Sequence, residues 1–205
     1  MSTRPPLAFF DFDGTLTTRD SLMPFLRYVA GTPRYCLQMA SVSPVLIAYL
    51  TGLLANDRAK GKVLRHCLGG RDTRWLAQQG EAFSQSHLPR LLRTQGMEHL
   101  RWHQQRGHEC VLVSASLDLY LAPWSQAAGF DHCLSSSLVN RNGICTGDLN
   151  GANCYGPEKL RRIRDAFPDV SKRETFAYGD SAGDTDMLAA SDHAFIWQRG
   201  AFKPC

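Results

Sequence analysis

Residues 7–15 read LAFFDFDGT, a short apolar run that becomes acidic at its end. The uncharged run Leu7–Phe10 predicts a buried strand. Asp11 and Asp13 follow it two residues apart, so both carboxylates can lean toward the same side of the chain. Gly14 allows the backbone to turn sharply and to approach a ligand closely. Because neighbouring carboxylates repel each other, this stretch favours a bound cation or a proton held on one of the acids.

Three further apolar runs predict strands of the same kind: Cys110–Val113, Thr175–Tyr178 and Ala194–Trp197. Helical patterns separate these runs. Short apolar strands that alternate with helices predict an α/β fold, in which a parallel sheet has helices on both faces. The stretch 17–95 instead reads almost entirely helical and is too long for one crossover. We therefore expect a core domain made of residues 1–16 and 96–205, with 17–95 inserted as a helical cap domain.

Reactive polar residues follow three of the predicted strands. Asp11 follows the first strand, Ser114 the second and Asp180 the third. Ligands of open α/β sheets bind beyond the carboxyl ends of the strands, so these side chains are expected to share one site. Carboxylate and carbonyl oxygens suit Mg²⁺ better than zinc, and the sequence has no cluster of Cys and His ligands that competes. The sequence therefore predicts a magnesium site at this edge.

The same residues have the chemistry that phosphoryl transfer requires. The reaction needs a nucleophile in line, charge neutralisation on the phosphoryl oxygens and a proton for the leaving group. The Asp11 carboxylate can be the nucleophile. Ser114 can donate its hydroxyl to a phosphoryl oxygen, and Lys159, in the first turn of a predicted helix, can supply positive charge. Asp180 and Asp184 add carboxylates for the metal and for orienting Lys159.

Four motifs, taken in order, resemble the haloacid dehalogenase (HAD) superfamily of phosphatases, in the branch typified by phosphoserine phosphatase (subfamily IB). They are DFDGT at 11–15, VSAS at 113–116, the lysine of GPEKL at 156–160, and GDSAGDTDM at 179–187. The resemblance covers essentially the whole chain. It implies a Rossmann-like core with an inserted helical cap, and a phosphatase that forms a phosphoryl-aspartate.

The resemblance also implies a role for each motif residue. Asp11 is expected to be the nucleophile, and Asp13 the general acid and later the base for the attacking water. Mg²⁺ is expected to bind Asp11, the backbone carbonyl of Asp13 and Asp180, with Asp184 in support. The implied substrate-binding residues are Ser114, Lys159, Gly14, Thr15 and Ala115. Asp20 is interpreted either as a helix cap or as a substrate contact.

Residues 35–56 (YCLQMASVSPVLIAYLTGLLAN) contain no charged residue. This length approaches that of a bilayer span. Gln38 and several hydroxyl residues lower its apolar character, and Pro44 lies in the middle of the run. Because proline disrupts a helix interior, we expect two short buried helices here. Peripheral contact with a membrane surface and a true membrane span are the alternatives.

Composition limits the classes of partner. The formal net charge of +4 is mild, and no basic run indicates a nucleic-acid partner. The seven cysteines are scattered and contain no CxxC pair, which favours reduced thiols in a reducing compartment. The N-terminus also lacks the apolar segment of a signal peptide. We therefore expect a cytoplasmic protein, with peripheral membrane association through residues 35–56 as the alternative.

The expected function is hydrolysis of a small phosphorylated metabolite. Three alternatives follow from the same residues. A lipid-phosphate phosphatase of the phosphatidylglycerophosphate type would account for the uncharged cap segment. A phosphotransferase would pass the phosphoryl group to an acceptor other than water. A binding protein on an inactive scaffold is disfavoured, because every expected catalytic position is filled.

Overall fold

The computed structural model describes residues 4–205, with the backbone alone at residue 56; residues 1–3, which we assign to the core domain, lie outside it. The strands of the described chain are β1 (Leu7–Phe10), β2 (Glu109–Leu117), β3 (His132–Ser136), β4 (Leu138–Arg141), β5 (Ile144–Leu149), β6 (Thr175–Gly179), β7 (His193–Gln198) and β8 (Ala201–Pro204). Its α-helices are α1 (Leu22–Ala30), α2 (Thr32–Leu50), α3 (Asn56–Leu68), α4 (Thr73–Ser86), α5 (Thr94–Gln105), α6 (Asp118–Ala127), α7 (Pro157–Ala166) and α8 (Thr185–Ala189).

Six strands form one sheet in the order β3-β2-β1-β6-β7-β8. β1 lies at its centre and pairs in parallel with β2 and β6. β7 continues the parallel arrangement, and β8 closes the edge antiparallel to β7. The sheet is mostly parallel and is flanked by helices, so the predicted α/β class is confirmed.

The two edge strands, β3 and β8, are not predicted by the sequence pattern. β3 reads HCLSS and β8 reads AFKP, and several of their side chains are partly or fully exposed. An edge strand has a pairing partner on one side only, and it does not need the continuous apolar run of a strand that is buried on both faces. The pattern therefore detects the central strands and misses the edges.

The side chains of β1 alternate between two apolar clusters on opposite faces of the sheet. Phe10 faces one cluster, where its ring stacks on Tyr178 at a centroid distance of 4.6 Å. Phe9 faces the other cluster together with Val111. All four residues of β1 are buried. Because β1 is buried on both faces of the sheet, the position of Asp11 at the end of this strand is fixed.

Helix α2 corrects the prediction for residues 35–56. The chain does not break at Pro44 but continues as one helix from Thr32 to Leu50. Pro44 has no N–H to donate to the carbonyl four residues earlier. The Ser43 hydroxyl donates to that carbonyl, on Ala40, at 2.8 Å. A local side-chain donor therefore replaces the missing backbone hydrogen bond.

The expected burial of this segment is also wrong. Gln38 and Val42 are the buried residues of α2, whereas Leu37 is 71% exposed and Leu50 80% exposed. Leu53, just beyond the helix, is 84% exposed. The segment therefore packs one narrow side against the protein and presents apolar side chains to the outside. No helix within residues 4–205 combines the length and the apolar character that a bilayer span requires.

Strands β4 and β5 form an antiparallel hairpin that packs against α3. Its turn residues Asn142 and Gly143 both have positive φ, at 52° and 83°. The backbones of β5 and α3 pack so closely that a Cβ added to Gly147 would lie 2.4 Å from the Arg65 Cα. We call this contact of the hairpin with α3 the hairpin seam.

Candidate active site

The predicted reactive residues lie at the carboxyl edge of the sheet. Asp11 immediately follows β1, Ser114 lies in the adjacent β2, and Asp180 immediately follows the adjacent β6. The Asp11 N–H donates to the Tyr178 carbonyl at 2.9 Å, so the pairing of β1 with β6 continues to the reactive residue. The sheet itself thus brings the three side chains together.

Lys159, in the first turn of α7, forms the centre of the site. Its Nζ lies 2.5 Å from Asp11 Oδ1 and 2.6 Å from Asp184 Oδ1, and the side chain is 2% exposed. Burial alone lowers the pKa of Lys159, but the attraction of Asp11 and Asp184 outweighs it and the pKa rises. Lys159 is therefore a fixed cation next to the Asp11 carboxylate.

Three carboxylates can hold a cation. Oxygens of Asp11, Asp180 and Asp184 lie within 4.8 Å of one another. Burial raises the pKa of Asp11, which Lys159 opposes, and burial together with the charge of Asp184 raises the pKa of Asp180 to about 6. The ionised cluster thus has more negative charge than Lys159 balances. A hard cation bound by carboxylate oxygens fits this donor set.

Asp184 has the most complete set of protein partners among these acids. Its Oδ1 accepts from Lys159, and its Oδ2 accepts from the N–H groups of Asp180 and Ser181 at 3.1 Å each. The side chain is buried, at 1% exposure. These contacts fit Asp184 as the residue that supports Lys159 and the loop after β6.

The loop after β1 depends on Gly14. Its φ is +83°, and a Cβ added there would lie 2.0 Å from Asp180 Oδ2. Arg93 holds the same loop, since its guanidinium donates to the carbonyls of Gly14, Thr15 and Thr17. The Thr15 hydroxyl donates to Asp11 Oδ2 at 3.0 Å. Gly14 and Thr15 therefore contact the acids of the site.

Asp13 has a separate set of partners. Its Oδ1 accepts from the Ser21 N–H at 2.7 Å, and its Oδ2 accepts from the Ser116 hydroxyl. Ser21 Oγ lies 3.1 Å from the Tyr120 hydroxyl and 3.4 Å from Ser116 Oγ. Burial and the nearby charge of Asp20 raise the pKa of Asp13 to about 6. Its carboxylate is thus engaged away from Lys159.

A cavity of about 300 Å³ opens in front of these groups. Its core side is lined by Asp11, Asp13, Ser114, Ala115, Lys159 and Asp184. Its opposite side is lined mainly by apolar residues of the helical stretch, which are Leu22, Met23, Leu46, Tyr49, Ala59 and Val63. Gly14, Thr15 and Asp180 are not among the described residues that line it. The cavity therefore has a charged side formed by the core, which we call its floor, and a mainly apolar side formed by the helical stretch, which we call its roof.

Lys60 is a second cation of the cavity, and the sequence analysis misses it. Its Nζ donates to the Ala115 carbonyl and, at 2.8 Å, to Asn153 Oδ1. Burial lowers its pKa to about 8, partly offset by the charges of Asp13 and Asp20. A lone lysine on a helix gives no sequence signal. Only the packing of α3 over the site reveals it.

Asp20 makes the contact of a helix cap, and its role as a substrate contact stays a prediction. Its Oδ1 accepts from the Met23 N–H at 3.0 Å, as a residue that caps the start of α1 does. It also lines the cavity. Ser21, Ser116 and Tyr120 surround Asp13, and the sequence does not predict that they do. For Ser116 the available signal was its place in the VSAS motif.

Comparison with known proteins gives a family match. Residues 8–189 match the family model described as haloacid dehalogenase-like hydrolase. Protein CicA of Caulobacter vibrioides is 39% identical over 198 residues, which cover 94% of this chain and 86% of CicA. The match therefore includes all four sequence motifs and both sides of the cavity.

Solved structures show the same fold. A protein of unknown function from Bordetella pertussis Tohama I superposes with a TM-score of 0.80 at 26% identity, covering 92% of this chain and 87% of that one. Phosphoserine phosphatase, in a structure of a phospho-aspartyl intermediate analogue, superposes with a TM-score of 0.62 at 21% identity, covering 92% and 84%. At that identity the second likeness concerns the fold alone.

Proposed function

The chain belongs to the haloacid dehalogenase-like hydrolase family, and we propose that it is a magnesium-dependent phosphomonoesterase that forms a phosphoryl-aspartate on Asp11. The observation that carries this proposal is the contact of Lys159 with both Asp11 and Asp184, at the floor of a cavity that Asp13 and Ser114 also line. A nucleophile, a fixed cation, a hydroxyl donor and a second acid thus face one space.

The reaction has two steps. In the first, an Asp11 oxygen attacks phosphorus, the bond from phosphorus to the ester oxygen breaks, and Asp13 gives its proton to the leaving alcohol. In the second, Asp13 takes a proton from water as the water oxygen attacks phosphorus. The bond from phosphorus to Asp11 then breaks, and inorganic phosphate is released. Lys159 and Ser114 hold the phosphoryl oxygens through both steps.

Asp11, Asp180 and the backbone carbonyl of Asp13 are the proposed magnesium ligands, with Asp184 in support. When bound, Mg²⁺ neutralises the phosphoryl oxygens and the repulsion among the acids. The all-oxygen donor set and the raised pKa values of Asp11 and Asp180 support this assignment. Gly14 and Thr15 act through Asp180 and Asp11, whereas Ala115 contacts the substrate from the cavity wall.

The helical stretch 17–95 is the proposed cap domain over a core of residues 1–16 and 96–205. It supplies the apolar roof of the cavity and Lys60. The size of the cavity supports a small phosphorylated metabolite, whose phosphoryl group meets the charged floor. The presence of Lys60 favours a substrate that has a second hydrogen-bond acceptor group in addition to its phosphate.

A lipid phosphate of the phosphatidylglycerophosphate type is the second candidate substrate. The observation that favours it is that apolar side chains continue from the cavity to the protein surface. Leu46 and Tyr49 line the cavity, and the neighbouring Leu50 is exposed. Residues 21–80 also contain eight Arg or Lys residues and two acids, Asp57 and Asp72. An exposed apolar face within a basic segment fits peripheral contact with an anionic membrane surface.

The test is phosphate release from p-nitrophenyl phosphate and from a panel of phosphorylated metabolites, with Mg²⁺ or with EDTA. We expect activity with Mg²⁺ and loss with EDTA. Asp11→Asn should lower kcat by at least about 10⁴-fold while the protein stays folded. Asp186→Asn, in the same motif as Asp184 but outside the cavity lining, is the matched control and should keep activity.

Two outcomes would overturn or redirect this proposal. Full activity of Asp11→Asn would remove the nucleophile assignment. Release of alcohol without an equal amount of phosphate would indicate a phosphotransferase. For the lipid candidate, a short-chain phosphatidylglycerophosphate should be hydrolysed faster than glycerol phosphate, and the reverse order would exclude it.

A further inference from the structure

The Asp13 carboxylate is held by donors from two separate parts of the chain. Ser116, on β2 of the core, donates to one oxygen. The Ser21 N–H, just before α1, donates to the other oxygen at 2.7 Å. A carboxylate that accepts a hydrogen bond on each oxygen cannot rotate about its Cβ–Cγ bond without breaking one of them. The orientation of Asp13 is therefore set by its neighbours.

A chain of hydroxyl groups stands behind these donors. Ser116 uses its single hydroxyl hydrogen on Asp13, so its oxygen accepts from Ser21, 3.4 Å away. Ser21 has then used its own hydroxyl hydrogen, and it accepts from the Tyr120 hydroxyl at 3.1 Å. Every hydroxyl in this chain donates in the direction of Asp13. All three side chains are buried, at 3% exposure or less.

We propose that Ser116, Ser21 and Tyr120 are positioning residues that aim Asp13 at the oxygen of the leaving group. Asp13 and Ser116 both line the cavity, so the aimed carboxyl group faces the substrate. Because Ser21 begins the helical stretch that covers the site, seating of α1 against the core completes the alignment. This inference rests on the proposed role of Asp13 as general acid.

Leaving groups of different basicity test this role. p-Nitrophenolate departs readily without a proton, whereas benzyl alkoxide needs one, and the two esters present rings of similar size to the cavity. The measured quantity is kcat/KM for each ester, because it reports the step in which the alcohol leaves. A merely structural defect lowers both values alike, whereas a misaimed acid lowers mainly the value for benzyl phosphate.

Asp13→Asn is the reference and should lower kcat/KM for benzyl phosphate by about 10²-fold or more, with a much smaller loss for p-nitrophenyl phosphate. Ser116→Ala should lower the benzyl value about tenfold, since it removes a hydrogen bond to the carboxylate that forms on Asp13 as the proton leaves. Tyr120→Phe removes a more distant hydroxyl and should cost about threefold on the same ester.

Matched controls lie nearby. Ser125→Ala removes a buried serine hydroxyl that bonds to the Ala122 carbonyl, and Tyr178→Phe removes a buried phenol hydroxyl that bonds to His103. Both should leave the ratio of the two kcat/KM values unchanged. Thermal unfolding of each variant checks that it folds.

The outcomes distinguish a failure of the positioning inference from a failure of the proposed function. If Asp13→Asn shows the selective loss and Ser116→Ala lowers both esters equally, the positioning inference is overturned and the proposed function stands. If Asp13→Asn itself loses both esters equally, Asp13 is not the acid and the positioning inference fails, whereas failure of the proposed function would show as full activity of Asp11→Asn or no phosphate release with Mg²⁺. A selective loss in Ser116→Ala and Tyr120→Phe that the controls lack supports the inference.

Discussion

Strand β1 and helix α2 are both built from mainly apolar residues, yet they have opposite environments. Each residue of β1 is buried, and the strand ends at Asp11. Helix α2 buries Gln38 and Val42 and leaves Leu37, Ile47 and Leu50 exposed. The comparison teaches that apolar content identifies the interior only when the fold covers both faces of an element. The sheet edge thus places the acidic residues of the site, whereas α2 presents apolar side chains outward.

The sharpest test of this contrast compares two glycines that both have positive φ, Gly14 after β1 and Gly31 before α2. Gly14→Ala places a Cβ 2.0 Å from Asp180 Oδ2, whereas at Gly31 no described heavy atom lies within 4 Å of the added Cβ. Both have positive φ, so both variants should lose about 1–3 kcal/mol of unfolding free energy through backbone strain. Only Gly14→Ala should also lower kcat/KM, by about 10²-fold, because Asp180 is displaced.

Steady-state kinetics with Mg²⁺ and urea unfolding measure both quantities. Equal activity losses in the two variants would break the contrast, because strain alone would then explain the effect of Gly14→Ala.

A second test removes the same side chain from the two environments. Leu112→Ala, in β2, should lower the free energy of unfolding by about 2–5 kcal/mol, because it leaves a cavity in the packed core. Leu50→Ala should change it by less than about 0.5 kcal/mol. Urea denaturation measures both values. A large loss in Leu50→Ala would mean that α2 is packed against another surface in solution.

A third and smaller effect concerns pH. Burial lowers the pKa of His103 to about 3, and its Nε2 lies 3.0 Å from the Tyr178 hydroxyl. The unfolded chain takes up a proton near pH 6.5 and the folded chain does not. His103 therefore makes unfolding easier as pH falls from 6.5 toward 3, by about 1.4 kcal/mol per unit of pH.

The measurement compares wild type with His103→Gln by urea unfolding between pH 4 and pH 7. The difference between the two slopes reports the loss of His103 together with its effect on His108, whose Nδ1 lies 2.8 Å from His103 Nδ1. His66→Gln, an exposed position of α3, controls for the replacement of a histidine. Parallel slopes in wild type and His103→Gln would contradict the prediction.

The sequence predicts the central strands and the meeting of polar residues at one sheet edge, because both follow simple rules. Uncharged runs such as Leu7–Phe10 become central strands, and polar residues at their carboxyl ends meet at one edge. Asp11, Ser114, Lys159 and Asp184 accordingly lie around one cavity. Their roles are proposals that the kinetic tests address.

The remaining features of the fold and of the site depend on contacts that a periodic sequence pattern does not predict. The continuity of α2 rests on one hydroxyl, since Ser43 satisfies the carbonyl that Pro44 leaves open. Lys60 and Arg93 belong to no sequence motif, and they reach the site only because α3 and the residue before α5 pack beside it. The edge strands β3 and β8 lack the continuous apolar run that marks β1 and β6.

The hairpin seam determines how the covering helices can move. Gly147 brings the hairpin backbone against Arg65 on α3, and the chain both enters and leaves the helical stretch at the bridge between Thr17 and Leu92. A segment that is held at two separated places cannot rotate outward about a single hinge. Leu46 and Tyr49 of α2 line the remaining side of the cavity, so we expect substrate and product to pass along this helix.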